Sequence, residues 1–304
     1  MPVLVNLNGV IVPPGEARVS VFDRGFLYGD SVYEVVRTYG LNLFEVAPHL
    51  RRLAASAARI GLEMPWPASR IAAEVERAVL QSRGDDPAEP GEAPWNTGER
   101  SARIVVTRGS GEMGLDPALA VDPSLVVMVL PLRGPPLQAY REGVSAWPVG
   151  HPGGIRRGGD PAAKTGEHLF HVLAVREARA RGAHEALLLD SDEYVTEGAS
   201  SNVFAVRGSE LVTPPLGVGI LEGVTRGVVL DLALELGVKV RQEPLPLAAL
   251  QAADEAFLTS TVREVLPVTR VGDRVVGRGE PGALTRKIHA VFRDRADRLA
   301  RARS

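Results

Sequence analysis

The chain contains no cysteine. That excludes disulfides, thiolate nucleophiles and any metal site built on cysteine, and no metal is expected. Neither sign of charge is in excess: 35 basic residues stand against 37 acidic ones, a formal net charge of −2. Arginine is abundant but scattered, so there is no electrostatic case for nucleic acid or an anionic membrane as partner. No stretch approaches the ~20 consecutive apolar residues that a membrane helix needs. Residues 1–12 lack a cationic segment followed by a long apolar run, so no signal peptide is read there. The expectation is a soluble cytoplasmic protein. Lysine is also scarce, with only Lys164, Lys239 and Lys287.

What is present is a mixed α/β pattern. Apolar residues make up 45% of 304, enough for one large domain or two modest ones. Residues 3–12 alternate around Asn8-Gly9, a hairpin signal, because both residues tolerate positive φ. A strand over 31–39 follows a Gly-rich turn. A helix over 48–60 places Leu50, Leu53, Ala54, Ala57 and Ile60 on one face, with Gly61 as its cap. A second helix over 68–82 buries Ile71, Val75, Ala78 and Val79. Residues 83–100 read as an exposed loop, and buried strands follow at 103–107 and 125–130.

The run Pro131-Leu-Arg-Gly-Pro-Pro136 suits neither helix nor central strand and marks a linker. The predicted division is a small N-terminal α/β domain over 1–130, a linker over 131–137 and a larger α/β domain over 138–304. The second half starts with an extended segment at 144–149 and a Gly/Arg-rich loop at 150–159. A helix is expected over 163–181, ended by Gly182. Short strands follow at 185–190, 202–206, 210–213, 238–241, 256–259 and 265–269, with a helix over 225–236 ended by Gly237. There is no simple βαβ repetition and no internal repeat.

Four segments could carry chemistry. Lys164 lies at a loop–helix junction, where an amine can approach a ligand and shed part of its hydration. Taken alone it is more often a solvated lysine near a helix start. Glu197 stands between strand-like segments, followed by small residues that let backbone approach a flat ligand; alone it reads as a hairpin turn. Residues 219–226 precede a helix whose N-terminal amides could hold phosphate, or Thr225 could be a plain cap. Thr259-Ser-Thr261 after a buried strand offers hydroxyls and amides, a weak signal by itself.

Together these segments resemble the class IV, or fold type IV, pyridoxal 5′-phosphate (PLP) dependent aminotransferases, which include branched-chain and D-amino-acid aminotransferases and aminodeoxychorismate lyase. The matching motifs are Asp23-Arg-Gly-Phe-Leu-Tyr-Gly-Asp-Ser-Val-Tyr-Glu34, His49-Leu-Arg-Arg-Leu53, Lys164-Thr-Gly166, Tyr194-Val-Thr-Glu-Gly-Ala-Ser-Ser-Asn-Val-Phe204, Ile220-Leu-Glu-Gly-Val-Thr-Arg226 and Thr259-Ser-Thr261 with Glu264-Val-Leu-Pro-Val268. The resemblance implies that Lys164 is the Schiff-base lysine and Glu197 the partner of the pyridinium nitrogen. It implies a phosphate site of Arg52, Thr261 and the amides of Val224 and Thr225, with Leu221 packed on the ring and Asn202 also binding the cofactor. Tyr33, Arg37, Arg103 and Val262 are the expected substrate contacts. It also implies small-molecule partners, an amino acid and a 2-oxo acid such as 2-oxoglutarate or pyruvate, and a homodimer whose active sites borrow a loop from the partner.

The subgroup signals conflict. Residues 103–115 have branched-chain spacing and Arg37 resembles a residue of that subgroup, but Ser101 and Leu169 replace its aromatics. The first turn and residues 197–204 resemble D-amino-acid aminotransferases. The Arg-x-His carboxylate trap of that group is missing, with Met113 and Leu115 in its place. A buried substrate carboxylate needs a cation or several donors, so Arg37, Arg103, Arg108, Arg156 and Arg157 are candidates. The expectation is a transaminase favouring D-amino acids, with a branched-chain L-amino-acid enzyme as the alternative and aminodeoxychorismate lyase third.

Overall fold

Alternation around Asn8-Gly9 produces the first hairpin, with Asn8 at φ 52° and Gly9 at φ 94°. The computed structural model describes residues 3–84, 87–150 and 162–301. Among them, β1 (Leu4–Leu7), β2 (Val10–Val12), β3 (Ser31–Tyr39), β4 (Asn42–Leu43), β5 (Arg100–Gly111) and β6 (Ala120–Pro131) form a six-stranded sheet in the order β2-β1-β6-β5-β3-β4. Short α1 (Arg24–Tyr28) precedes β3; α2 (Val46–Arg59) and α3 (Ala68–Gln81) cover one face. Even-numbered residues of β3, Val32 and Val36, join Ile104, Val106, Val127 and Val129 against Leu50, Leu53, Ile71 and Val75. Each such side chain, fully buried, stabilises by about 1.5–3 kcal/mol.

Among the described residues the second sheet has ten strands: β7 (Val144–Val149), β8 (Glu185–Leu189), β9 (Tyr194–Gly198), β10 (Asn202–Arg207), β11 (Glu210–Thr213), β12 (Lys239–Gln242), β13 (Leu245–Pro246), β14 (Glu255–Ser260), β15 (Glu264–Val271) and β16 (Arg274–Val275). Their order is β12-β11-β10-β14-β15-β7-β8-β9-β13, with β16 on β15. The other α-helices among the described residues are α4 (Leu137–Glu142), α5 (Leu169–Ala180), α6 (Val224–Glu235), α7 (Leu247–Gln251) and α8 (Ala283–Arg301). One core on this sheet joins both halves of the chain: Tyr39 and Phe44 pack with Phe204, Phe257, Val229 and Phe292.

Several sequence expectations change. The helix expected from 163 begins at Leu169. Residues 164–166 instead run beside β3, because its backbone claims theirs: Tyr33 N donates to Lys164 O at 3.0 Å and Gly166 N to Ser31 O at 2.9 Å. Residues 83–100 are not simply an exposed loop. Ala93, Asn96 and Arg100 are buried, and Trp95 packs edge-on to Tyr140. The strands at 103–107 and 125–130 extend to twelve residues each, since a register shift after Thr107 lets the ladder continue. On α2, Ala54 is exposed and Ser56 takes the buried place.

Helix α8 adds to the elements expected from sequence, although Ile288, Phe292 and Ala296 recur every fourth residue and are buried. Glu255 starts it, accepting from the backbone of Leu284 and Thr285. The loop expected at 150–159 lies, beyond Gly150, outside the described residues.

Candidate active site

Between the two sheets lies a cavity of about 610 Å³. Of the odd-numbered residues of β3, Tyr33 and Val35 line it. Segment 164–166 is held against the same strand, with Lys164 N also donating to Ser56 Oγ at 3.0 Å. A Cβ on Gly166 would stand 2.2 Å from Ser31 Oγ and 3.1 Å from Gly29 O, so a larger residue would force Ser31 to turn away. Lys164 Nζ thus enters the cavity, donates to Tyr33 Oη at 3.0 Å and lies 4.3 Å from the centre of that ring.

The next wall is built by Glu197 and Asn202 on β9 and β10. Glu197 is buried, and its Oε2 accepts from Leu221 N at 3.0 Å. Asn202 Nδ2 donates to Leu221 O at 2.9 Å. These bonds pin the loop that enters α6. Gly223 is that helix's N-cap; a Cβ there would come within 1.9 Å of Asn202 Oδ1 and would push Asn202 off its bond to Leu221 O. The first residues of α6, Val224 and Thr225, line the cavity, as do Thr261 and Val262 on the turn between β14 and β15. Thr259 Oγ1, also on this wall, is buried with no hydrogen-bond partner among the described residues.

Arg52 supplies a fixed cation. Glu34 takes its Nε at 2.7 Å and its Nη2 at 2.8 Å, while Nη1 donates to Glu222 O at 2.7 Å. His49 Nδ1 meets the same carboxylate at 2.7 Å. Burial would raise the Glu34 carboxyl, but hydrogen bonds from Arg52 and His49 outweigh it and hold it at about 2. Glu34 is therefore an anion at all ordinary pH and aims Arg52 beside the amino end of α6. Glu34 closes the first matching motif but is assigned no role from sequence. The available signal was the spacing of His49 and Arg52, one helical turn apart on a helix facing β3.

Arg103 also lines the cavity, its guanidinium 4.0 Å from the centre of the Tyr33 ring. Its Nη2 lies 3.4 Å from His168 Nε2. Burial first, then the charges of Arg103 and Lys164, lower the His168 pKa; because a guanidinium can only donate, Nε2 is the acceptor in its contact with Arg103. His168, Arg263 and Glu185 are lining residues that no sequence signal singled out. Arg133, Pro135 and Pro136 of the expected linker also form part of the wall.

Of the residues expected at the site, Lys164, Glu197, Arg52, Asn202, Leu221, Val224, Thr225, Thr261, Tyr33, Arg103 and Val262 line this one cavity. Arg37 does not, which corrects its expected place. It is 1% exposed and pairs with Glu264 Oε1 at 2.9 Å, where the sheets meet beyond the cavity. Arg108 is likewise engaged elsewhere, with Asp30 at 2.8 Å and the carbonyls of Ile60 and Gly61. Met113 and Leu115 are exposed. Arg156 and Arg157 lie outside the described residues.

An amine, a buried carboxylate, an oriented guanidinium beside a helix amino end and an unsatisfied hydroxyl fit an aldehyde cofactor with a ring nitrogen and a phosphate. Comparisons agree. The family described as Amino-transferase class IV matches residues 31–271. A putative branched-chain-amino-acid aminotransferase of Methanocaldococcus jannaschii is 37% identical over 294 residues, 95% of each chain. D-alanine aminotransferase of Bacillus licheniformis is 31% identical, covering 95% of this chain and 96% of its own. The crystal structure of the Escherichia coli branched-chain amino acid aminotransferase superposes with a TM-score of 0.86 at 27% identity, covering 97% of this chain and 94% of that one. A second branched-chain amino acid aminotransferase, from T.th. and with pyridoxamine 5′-phosphate, gives 0.84 at 28% identity, with the same coverage.

Proposed function

The chain belongs to the class IV aminotransferases, and from that premise we propose that it uses PLP, held by Lys164, to move an amino group between an amino acid and a 2-oxo acid. The observation that carries this reading is Lys164 Nζ inside the cavity, 3.0 Å from Tyr33 Oη. When bound, PLP supplies a carbonyl for amine exchange and a ring that accepts electrons. Lys164 carries the cofactor, and its amine then moves the proton at the substrate Cα. Tyr33 orients that amine. Glu197, fixed by Leu221 N, keeps a proton on the ring nitrogen. Arg52, Thr261 and the amides of Val224 and Thr225 hold the phosphate; Leu221, set by Asn202, packs on the ring. Arg103, with Val262, receives substrate carboxylate, a charge-assisted contact.

Borohydride treatment of the PLP-loaded protein followed by peptide mapping tests the assignment. Label is expected on Lys164. Label on Lys239, which is paired with Glu210 on an outer strand, or on Lys287 overturns it.

The preferred donors are D-amino acids, a reading supported by the first turn and by residues 197–204. A branched-chain L-amino-acid preference is the second reading, supported by the 37% identity to the Methanocaldococcus relative and by Arg103 in the cavity. A matched panel of D- and L-amino acids with 2-oxoglutarate and pyruvate separates them. Faster turnover of L-leucine, L-isoleucine and L-valine than of any D-amino acid removes the first.

The same reading takes the enzyme as cytoplasmic, with domains 1–130 and 138–304 joined by 131–137, and as a homodimer. Support for the dimer comes from exposed Phe22, Phe26, Met113 and Leu115. Arg24 of α1 bonds the carbonyls of Gly114 and Leu115, which gathers that apolar surface into one patch. Sedimentation of the full chain tests this; a monomer at micromolar concentration overturns it.

A further inference from the structure

We infer that Glu264 is a positioning residue that sets where the cavity turn 261–263 stands relative to Lys164. This rests on the proposal that Thr261 and Val262 face phosphate and substrate.

Strands β14 and β15 are antiparallel with Ser260 opposite Glu264, so three residues, Thr261, Val262 and Arg263, connect them. Hairpins of this length commonly close with a residue in the left-handed region, where glycine is the unstrained choice. Here that residue is Glu264, at φ 57°. A backbone position suited to glycine carries a long, charged and fully buried side chain. Strain of this kind persists only where the surroundings over-determine it.

The surroundings do so through the carboxylate. Oε1 accepts from Arg37 Nη1 at 2.9 Å, Tyr39 Oη at 2.7 Å and Arg293 Nη1 at 2.9 Å, and Oε2 meets His289 Nε2 at 2.9 Å. Arg37 and Tyr39 belong to β3, the strand that also carries Tyr33 and holds the backbone of Lys164. One strand thus anchors the reactive amine near its start and the turn near its end.

Arg263, the preceding residue, fixes the turn from the other side. Its Nη1 pairs with Oε2 of Glu185, which also accepts from Ser200 Oγ at 3.3 Å and Ser201 Oγ at 3.1 Å. Its carbonyl accepts from Tyr140 Oη at 3.0 Å. Successive residues of opposite charge therefore hold the turn between the sheet junction and the floor beside Glu197. Packing that only glued the sheets together would not need the left-handed residue of a cavity turn as its centre.

The experiment is Glu264→Gln, which keeps shape but removes the charge that Arg37 and Arg293 share. In the cofactor-free chain, hydrogen exchange of a peptide spanning 259–266 is expected to quicken about tenfold or more, the scale of one lost charged hydrogen bond. Peptides across 202–213 should hold their wild-type rates. In the PLP-loaded enzyme, KM for amino acids should rise about tenfold with kcat changed less than about threefold, as expected when ground-state contacts are lost. Glu264→Asp, which retains the charge, should recover part of both effects. If Glu264→Gln does not fold, Arg263→Gln releases the same turn from the floor and must quicken the same peptide. Uniform quickening over the whole chain, or an unchanged turn beside a lowered Tm, overturns the proposal. Local quickening with an unchanged KM sustains the positioning role and instead sinks the placement of Thr261 and Val262 at the cofactor and substrate.

Discussion

Arg37 and Arg103 stand on neighbouring strands, where Arg37 lies opposite Ser101 and Arg103 opposite Val35. From sequence, both are expected to hold a substrate carboxylate. Arg103 keeps its guanidinium in the cavity, over Tyr33 and beside neutral His168. Arg37, two residues beyond Val35 on the same face, is enclosed and gives its charge to Glu264, Trp95 O and Asn96 Oδ1. Identical side chains two positions apart in one ladder therefore differ in kind. One is a cation with room for an anion; the other is already neutralised in a site with no room for one. A buried ion pair adds little net stability over an apolar pair, but breaking it is costly. The two arginines should thus fail in different ways.

The largest effect is expected from Arg37→Ala, which leaves Glu264 short of one buried cation. Denaturant unfolding should show a loss of about 3–5 kcal/mol. A loss no greater than that of an exposed substitution would erase the contrast with Arg103.

The pH dependence of stability comes next. Glu34 sits at about 2 in the folded chain against an ordinary 4.5. A depressed carboxylate contributes stability that is complete above 4.5 and lost as the pH falls from there towards 2; the full loss is roughly 3 kcal/mol. Melting between pH 2 and 5 should show this slope in the wild type and less of it in Glu34→Gln. Equal slopes would mean that the Arg52 anchor is not the charged pair described here.

Arg103→Ala should leave stability nearly unchanged and raise KM for amino acids by about tenfold to 10²-fold, the scale of a lost charged hydrogen bond. Simple amines such as 1-phenylethylamine, which carry no carboxylate, should keep their KM. Parallel losses for both substrate classes would return Arg103 to the structural class of Arg37. The smallest effect is expected from Tyr33→Phe. Removing the hydroxyl that accepts from Lys164 Nζ should cost about 1 kcal/mol, a several-fold loss in kcat, read by steady-state kinetics with KM held near its wild-type value.

Much of this was legible in the chain because local chemistry dictated it. Asn8-Gly9 made a hairpin; apolar spacing made α2, α3 and α6; the scarcity of lysine left few candidates for a reactive amine. Lys164 and Glu197 could be singled out through the order of the motifs around them. What local chemistry could not reveal was partnership at a distance. Residues 164–166 have no helical fate because β3, more than a hundred positions earlier in the chain, takes their backbone bonds. Glu34 reads as an ordinary strand residue until α2 brings His49 and Arg52 against it.

The two faces of β3 follow from its own residues. Alternation on β3 put Tyr33, Val35 and Arg37 on one side and Val32, Glu34 and Val36 on the other, since successive side chains of a strand must point opposite ways. How far along that face the cavity extends depends on what packs over it. It stops short of Arg37 because β15 and α8 close over the sheet there and bring Glu264 and Arg293 with them. The period of a strand is a property of its own backbone, whereas the edge of a cavity is set by which other elements pack against it.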